Sequence, residues 1–276
     1  MLTFLAKRLL YAVPTLFAVS IIAFIIIQLP PGDYLTTLMA DWASQGGAVE
    51  AGTVVAMRER YGLDQPIYIQ YYKWIWGILT RGDFGMSFEY GKPVSDLIWS
   101  RLGFSFLLAF LTLLFSWVIA VPIGILSAVR QYSIADYVAT FIAFVFLALP
   151  NFVLALALMY AMSSWFGQSV GGLFSPAYID APWSLAKLWD FAKHVWLPVF
   201  AIGTGSLAAL VRIMRANLLD ELRKPYVTTA RAKGVSEFQL LMRYPVRIAL
   251  NPLISALGWI LPAAVSTEIL VSVVMS

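Results

Sequence analysis

The stretch LLYAVPTLFAVSIIAFIIIQL, residues 9–29, decides the fold. It contains no Asp, Glu, Lys or Arg, and its 21 residues, at about 1.5 Å each in a helix, reach roughly 30 Å, the thickness of a bilayer's hydrocarbon core. At that depth no water is available to the backbone, so the segment must satisfy its own N–H and C=O groups, which a helix does. Lys7 and Arg8 precede it, as in a secretory leader. The run, however, is longer than a leader's apolar core of about 7–15 residues and ends in LPPGD rather than a small-x-small site. A retained spanning helix is expected.

The rest of the chain repeats this chemistry. Mean hydropathy is +0.79 and 12% of residues are charged, against about 25% in soluble domains. Four further apolar runs follow, at about 102–129, 137–163, 195–211 and from 254 onward. The expected architecture is all-α and polytopic, with five transmembrane helices. The organisation is an N-terminal helix (1–30), an extracytoplasmic segment with interfacial helices (31–101) and a core (102–276). The core carries a cytoplasmic loop at about 212–249, between the fourth and fifth spans. The 276-residue sequence has no cysteine, which excludes disulfides and thiol chemistry.

Charge placement orients the helices. With the N-terminus in the cytoplasm, Lys7, Arg8 and Arg130 lie inside, as does the basic run Arg212, Arg215, Arg223, Lys224, Arg231, Lys233, Arg243 and Arg247. The short outer loop after the third span holds only Lys187 and Lys193. Basic residues next to short loops set orientation, so the pI near 9.2 reflects topology and not nucleic-acid binding. In the outer segment, Gly62 is placed to end one helix and Asp64 to cap the next, with Pro66 in its first turn. Tyr68, Tyr71, Tyr72, Trp74 and Trp76 then crowd one short helix. Aromatic rings with polar edges favour the membrane boundary; a small subdomain packed on itself is the other reading.

The inner loop holds RAKGVSEFQLLMRYPVR, residues 231–247. Pro225 is suited to begin a short helix and Gly234 to end it. Ser236 and Gln239 then form the S-x-x-Q pattern of a capping box. Tyr226 and Ala230 share one face of the first helix. Phe238, Leu241 and Met242 share one face of the second at i, i+3 and i+4. Such a stripe packs against the protein or the headgroups, or it enters a partner's groove.

YVTTARAKGVSEFQLLMRYPVRIALNP resembles the cytoplasmic loop of binding-protein-dependent ATP-binding cassette importer permeases, whose pattern is Glu-Ala-Ala, three intervening residues, then Gly. Those positions here are Thr228, Thr229, Ala230 and Gly234. FLAKRLLYAVPTLFAVSIIAF, YGLDQPIYIQYYKWI, RGDFGMSF and AVPIGILSAVRQYSIAD resemble, in order, the dipeptide and oligopeptide branch of that family. The resemblance implies a transport subunit with a docking loop for ATPase subunits, carried by Tyr226, Thr228, Thr229, Ala230, Lys233, Gly234, Ser236, Phe238 and Leu241. It implies a second permease, usually a different chain, two cytoplasmic ATPases that hold the ATP and Mg, and an extracytoplasmic solute-binding protein. It also implies a bacterial or archaeal inner membrane, and a sixth span beyond the segment TEILVSVVMS, short of which this sequence is expected to stop.

Enzymatic chemistry has little to work with. The one histidine, His194, falls at an expected membrane boundary, and H-E-x-x-H, G-x-S-x-G and G-x-x-x-x-G-K-[ST] are all missing from the sequence. No cofactor or metal is therefore assigned to this chain. An ion-coupled carrier is the rival, but it places ionisable groups inside spans, and only Glu268 lies within an apolar run. Glu268, Pro122 and Asn151 are the candidates for a solute pathway. Gly203, Gly205 and Ser206 are small enough to let helices approach closely. Peptides are the expected solute, with oligosaccharides, opines or metal chelates as alternatives.

Overall fold

A computed structural model describes residues 2–29, 65–87, 90–167, 171–179 and 181–275. The chain divides into two units, Met1–Ser100 and Arg101–Ser276. The first unit opens with α1 (Leu2–Gln28), which is apolar on all sides and exposed along nearly its whole length, as a lipid-facing helix is. Next comes α2 (Ile67–Arg81). Its Tyr71 ring meets Phe24 edge-on at 5.4 Å and Phe17 at 6.0 Å, and its hydroxyl lies 2.8 Å from Ser20 Oγ. The aromatic helix is thus fastened to α1. Pro66 stands one residue before the first helical position, while Gly62 and Asp64 lie outside the described residues. A two-residue hairpin, β1 (Met86–Ser87) and β2 (Lys92–Pro93), pairs Met86 with Pro93 and leads into α3 (Val94–Val129).

In the second unit, α4 (Ile134–Ala148) and α5 (Asn151–Phe166) replace the single third span that the hydropathy suggested. They meet at 97°. Pro150 explains the break: it donates no N–H and pushes Leu149 out of the helical region, to φ −90°, ψ 124°. Beyond a short 3-10 turn at Pro176–Tyr178 comes α6 (Leu185–Leu222), 38 residues long. The sequence reading of a short fourth span at 195–211 is corrected here. Its flanking charges looked like span ends, yet the helix runs on through them, and Lys187 and Asp190 are satisfied by groups outside it. Asp190 accepts from the Ser175 hydroxyl and N–H at 2.6 and 2.8 Å. Lys187 Nζ donates to the carbonyls of Ala181 and Ile179 and lies over the Phe174 and Trp183 rings. His194 is buried in this helix, with Nδ1 2.8 Å from the Asp190 carbonyl.

Three short helices follow, α7 (Pro225–Ala232), α8 (Glu237–Arg243) and α9 (Pro245–Ala249), and then α10 (Asn251–Met275). Among the described residues, three helices are long and apolar enough to cross a membrane, or up to five when each bent pair counts as one crossing.

The central helix α6 packs against α4, α5, α9 and α10. Leu197, Leu210, Met214 and Leu218 are fully buried along it. Close approach depends on missing side chains. A Cβ at Gly203 would stand 2.6 Å from the Phe115 ring, and one at Gly124 would stand 2.6 Å from Met214 Cβ. At the first contact the Ser116 hydroxyl donates across to the Gly203 carbonyl at 3.1 Å. Gly203→Val is expected to lower stability by about 1–3 kcal/mol through overpacking, read as a lower midpoint of thermal unfolding in detergent. Gly103→Ala, inside α3 with open space at its Cβ, should not lower that midpoint and is expected to raise it slightly, since alanine favours a helix over glycine.

Candidate functional site

Two places gather the residues that the sequence singled out. The first is the loop of α7 and α8. Pro225 supplies the first turn of α7, where its missing N–H costs nothing. At the other end Gly234 adopts φ +78°. Its N–H donates to the Arg231 carbonyl at 3.0 Å, and the Val235 N–H donates to the Ala230 carbonyl at 3.3 Å. This is the Schellman arrangement, whose left-handed residue is normally glycine.

Ser236 occupies the N-cap position of α8, but its side chain makes no capping bond. The expected capping box with Gln239 is therefore not formed. The turn is closed instead by Arg231, which reaches across Gly234 to both carboxylate oxygens of Glu237. That guanidinium holds the Glu237 carboxyl below its ordinary range. Both side chains are exposed, where an ion pair adds little stability; its use is to set the angle between two helices.

Two buried residues anchor this hairpin, Val227 from α7 and Leu240 from α8. Neither stood out from the sequence, because each is one apolar residue among several. The α8 helix packs on α9, which in turn packs on α6. Tyr226 supplies a second tie, donating to Glu221 Oε2 at the end of α6 at 2.6 Å. Burial first, and then that hydrogen bond, push the Tyr226 hydroxyl up to about 12. The neutral, donating form is thus favoured through neutral pH, and its contribution fades only as pH climbs from about 10 toward 12.

The face turned away from these anchors holds Thr228, Thr229, Lys233, Gly234, Ser236 and Phe238, all exposed, with Ala230 half-buried. Phe238 is 74% exposed. The expected stripe divides: Phe238 and Met242 face outward, while Leu241 packs partly against the core around Val246 and Leu253.

The second place is the break between α4 and α5. Asn151 joins Thr112, Ser116, Gly205, Ser206 and Trp259 around a cavity of about 430 Å³. Its side-chain amide lies so close to Gly205 that a Cβ there would come within 2.5 Å of Oδ1. Pro122 is elsewhere, exposed in an unbroken α3. Glu268 belongs to α10, and its side chain lies outside the described residues. Among the described residues no group of His, Cys, Asp and Glu side chains is placed to hold a metal ion.

One further cluster went unread in the sequence. Asp136, 4% exposed, receives Arg215 Nε and Nη2 at 3.2 and 3.0 Å, the Ser127 hydroxyl at 2.6 Å and the Tyr132 N–H at 3.0 Å. It ties the turn between α3 and α4, where Tyr132 has φ +62°, to α6. The Ser133-x-x-Asp136 spacing was its only local sign, since the Ser133 hydroxyl caps α4 by accepting from the Asp136 N–H.

Residues 120–276 match the family model described as "Binding-protein-dependent transport system inner membrane component". Residues 1–109 match the model of the corresponding N-terminal region. The chain is 36% identical, over 98% of its length and 82% of the relative's, to the oligopeptide transport system permease protein AppB of Bacillus subtilis. It is 32% identical, over 99% and 85%, to the dipeptide transport system permease protein DppB of Alkalihalophilus pseudofirmus. To the glutathione transport system permease protein GsiC of Escherichia coli K12 it is 30% identical, over 94% and 77%.

Leu240→Ala is expected to cost about 2–5 kcal/mol, because the site is fully buried. Phe238→Ala, truncating an exposed side chain, is expected to cost less than about 0.5 kcal/mol. Thermal unfolding of the two variants in the same detergent checks the contrast.

Proposed function

This chain belongs to the binding-protein-dependent transport system inner membrane component family, the permeases of ATP-binding cassette importers, and we propose that it forms one half of a pathway for di- or oligopeptides. It is a multi-pass membrane permease and not itself an enzyme. Peptides are favoured over oligosaccharides or opines because similar permeases carry the names oligopeptide, dipeptide and glutathione. In this reading the membrane is a bacterial inner membrane with the N-terminus and the α7–α8 loop in the cytoplasm. The pathway's other half is a second, different permease. Two ATPase subunits, holding ATP and Mg, dock on the loop, and an extracytoplasmic binding protein delivers the solute.

One observation carries the docking role. The loop buries Val227 and Leu240 toward the protein, yet leaves Phe238 exposed, with Thr228, Thr229 and Ser236 exposed on the same short segment. An exposed aromatic on an otherwise anchored loop is how an interface anchor looks before its partner arrives. The Glu221–Tyr226 bond and the packing of α9 on α6 make the loop a short lever. Movement of an ATPase against Phe238 is passed directly to the central helix.

An ion-coupled carrier would use the loop only for orientation, and it differs in one measurable respect. Phe238→Asp and Leu241→Asp are expected to abolish ATP-driven uptake by the assembled complex while leaving membrane insertion unchanged. Gly234→Val, which strains a left-handed position by about 1–3 kcal/mol, should release the ATPase on purification. Normal uptake by both charge variants, or transport by the lone subunit in liposomes, would contradict the docking role.

A further inference from the structure

Between α4 and α6 lies a groove of about 260 Å³, at the level where α6 leaves its apolar run. Asp136 at the start of α4 meets Arg215, and Asn151 just past its end meets Gly205, so the two helices run antiparallel. The groove is graded along them. Toward the Arg215 end it is lined by Tyr132, Asp136, Arg212 and Arg215; toward the Gly205 end it is lined by Ala143, Phe144 and Ala208. On α6 the residues Ala208, Arg212 and Arg215 stand at i, i+4 and i+7, which is one face of the helix.

The charges in this lining do not cancel. Asp136 is its one carboxylate, and Arg215 holds it through Nε and Nη2 at 3.2 and 3.0 Å. Arg212, one turn away, is exposed and has no hydrogen bond or ion pair among the described residues. One positive charge is left over beside an apolar wall. Orientation in the membrane accounts for an arginine at the end of a span, but not for the apolar groove behind it. The side of α4 next to the groove is lipid-like in its needs: Val138, Phe141, Ile142 and Val145 are all exposed, and an apolar helix face left bare is covered by lipid or by another helix. Tyr132 and Tyr137, also exposed, line the groove, and tyrosine is the ring that favours headgroup depth.

We propose that this groove is a binding site for one anionic phospholipid of the cytoplasmic leaflet, its phosphate on the Arg212 guanidinium and the first carbons of its acyl chains along Ala143, Phe144 and Ala208. The leaflet rests on the orientation proposed above for α6; the site itself does not depend on which solute is carried. Basic pockets between spanning helices on the cytoplasmic side hold anionic headgroups in this way. A free phosphate would gain nothing from the apolar end, and a zwitterionic lipid would bring an ammonium group toward an arginine that already lacks a counter-charge. The Asp136–Arg215 pair holds the two helices at the spacing the groove requires.

Native mass spectrometry of the purified complex, with its partner subunits, in mixed micelles of phosphatidylglycerol and phosphatidylcholine with matched acyl chains, tests this. Phosphatidylglycerol is expected to be retained in excess. Arg212→Gln, at an exposed position, is expected to lower that retention about 5-fold, the worth of one arginine at an anionic surface. Ala143→Leu, which fills the apolar end without altering charge, is expected to lower it too. Lys7→Gln, an exposed basic residue outside the lining, is expected to leave it unchanged. Should Ala143→Leu fail to assemble, the other two variants carry the comparison. Retention unchanged by Arg212→Gln, or lowered equally by Lys7→Gln, overturns the proposal. Displacement of the lipid by inorganic phosphate assigns a free anion instead, and retention by the separated subunit but not by the complex places a partner subunit in the groove; either result overturns it. If the lipid is retained as expected but the complex shows no ATP-driven uptake, the permease reading fails while the site stands.

Discussion

Close contact between α6 and its neighbours, made possible by Gly203, Gly205 and Gly124, is the constraint on which the second unit depends. Helices in a bilayer gain little from burying apolar surface against one another, because the lipid is as apolar as they are. They gain from packing distance and from hydrogen bonds. Gly203 lets the Phe115 ring and the Ser116 hydroxyl reach the α6 backbone, and Gly205 does the same for Asn151. The same helix then carries Leu210, Met214 and Leu218 into a core shared with Val246, Ala249 and Leu253. The cavity at one level and the α7–α8 loop at another are therefore attached to one rod.

The Asp136–Arg215 contact fixes how α4 meets that rod. Removing two charges from water is expensive, and a buried pair does not by itself make a protein more stable. Here the carboxylate also receives Ser127 and the Tyr132 N–H, so its oxygens are well satisfied. Losing one partner would strand the other. The pair specifies where α4 begins, and hence where Pro150 places the break and the cavity.

Much of this was legible in the sequence wherever a local rule was strong. The charge-free run at 9–29, the start of α7 at Pro225 and its end at Gly234 follow from hydropathy and from backbone freedom at single residues. The break at Pro150 and the close approach at Gly203 were readable as possibilities, because proline and glycine act on their own backbone. What could not be read depends on partners distant in sequence. The length of α6 required knowing that Lys187, Asp190 and Arg215 would each be satisfied by residues on other elements. The inward Leu240 and outward Phe238 differ by two positions in one short helix, and only α9 decides which of them is covered. The capping box failed for a similar reason: Arg231 took Glu237 and closed the turn without the Ser236 hydroxyl.

The claim that matters most is that the α7–α8 loop touches an ATPase through its exposed face. Phe238→Cys and Leu240→Cys, each placed in the cysteine-free chain and treated with a benzophenone maleimide, test it in the assembled complex. Irradiation is expected to join the ATPase subunit to the chain labelled at position 238, whereas position 240, where the side chain is fully buried, is expected to take up no label and give no adduct. Absence of the adduct at 238, in a complex that still imports its solute, would contradict it.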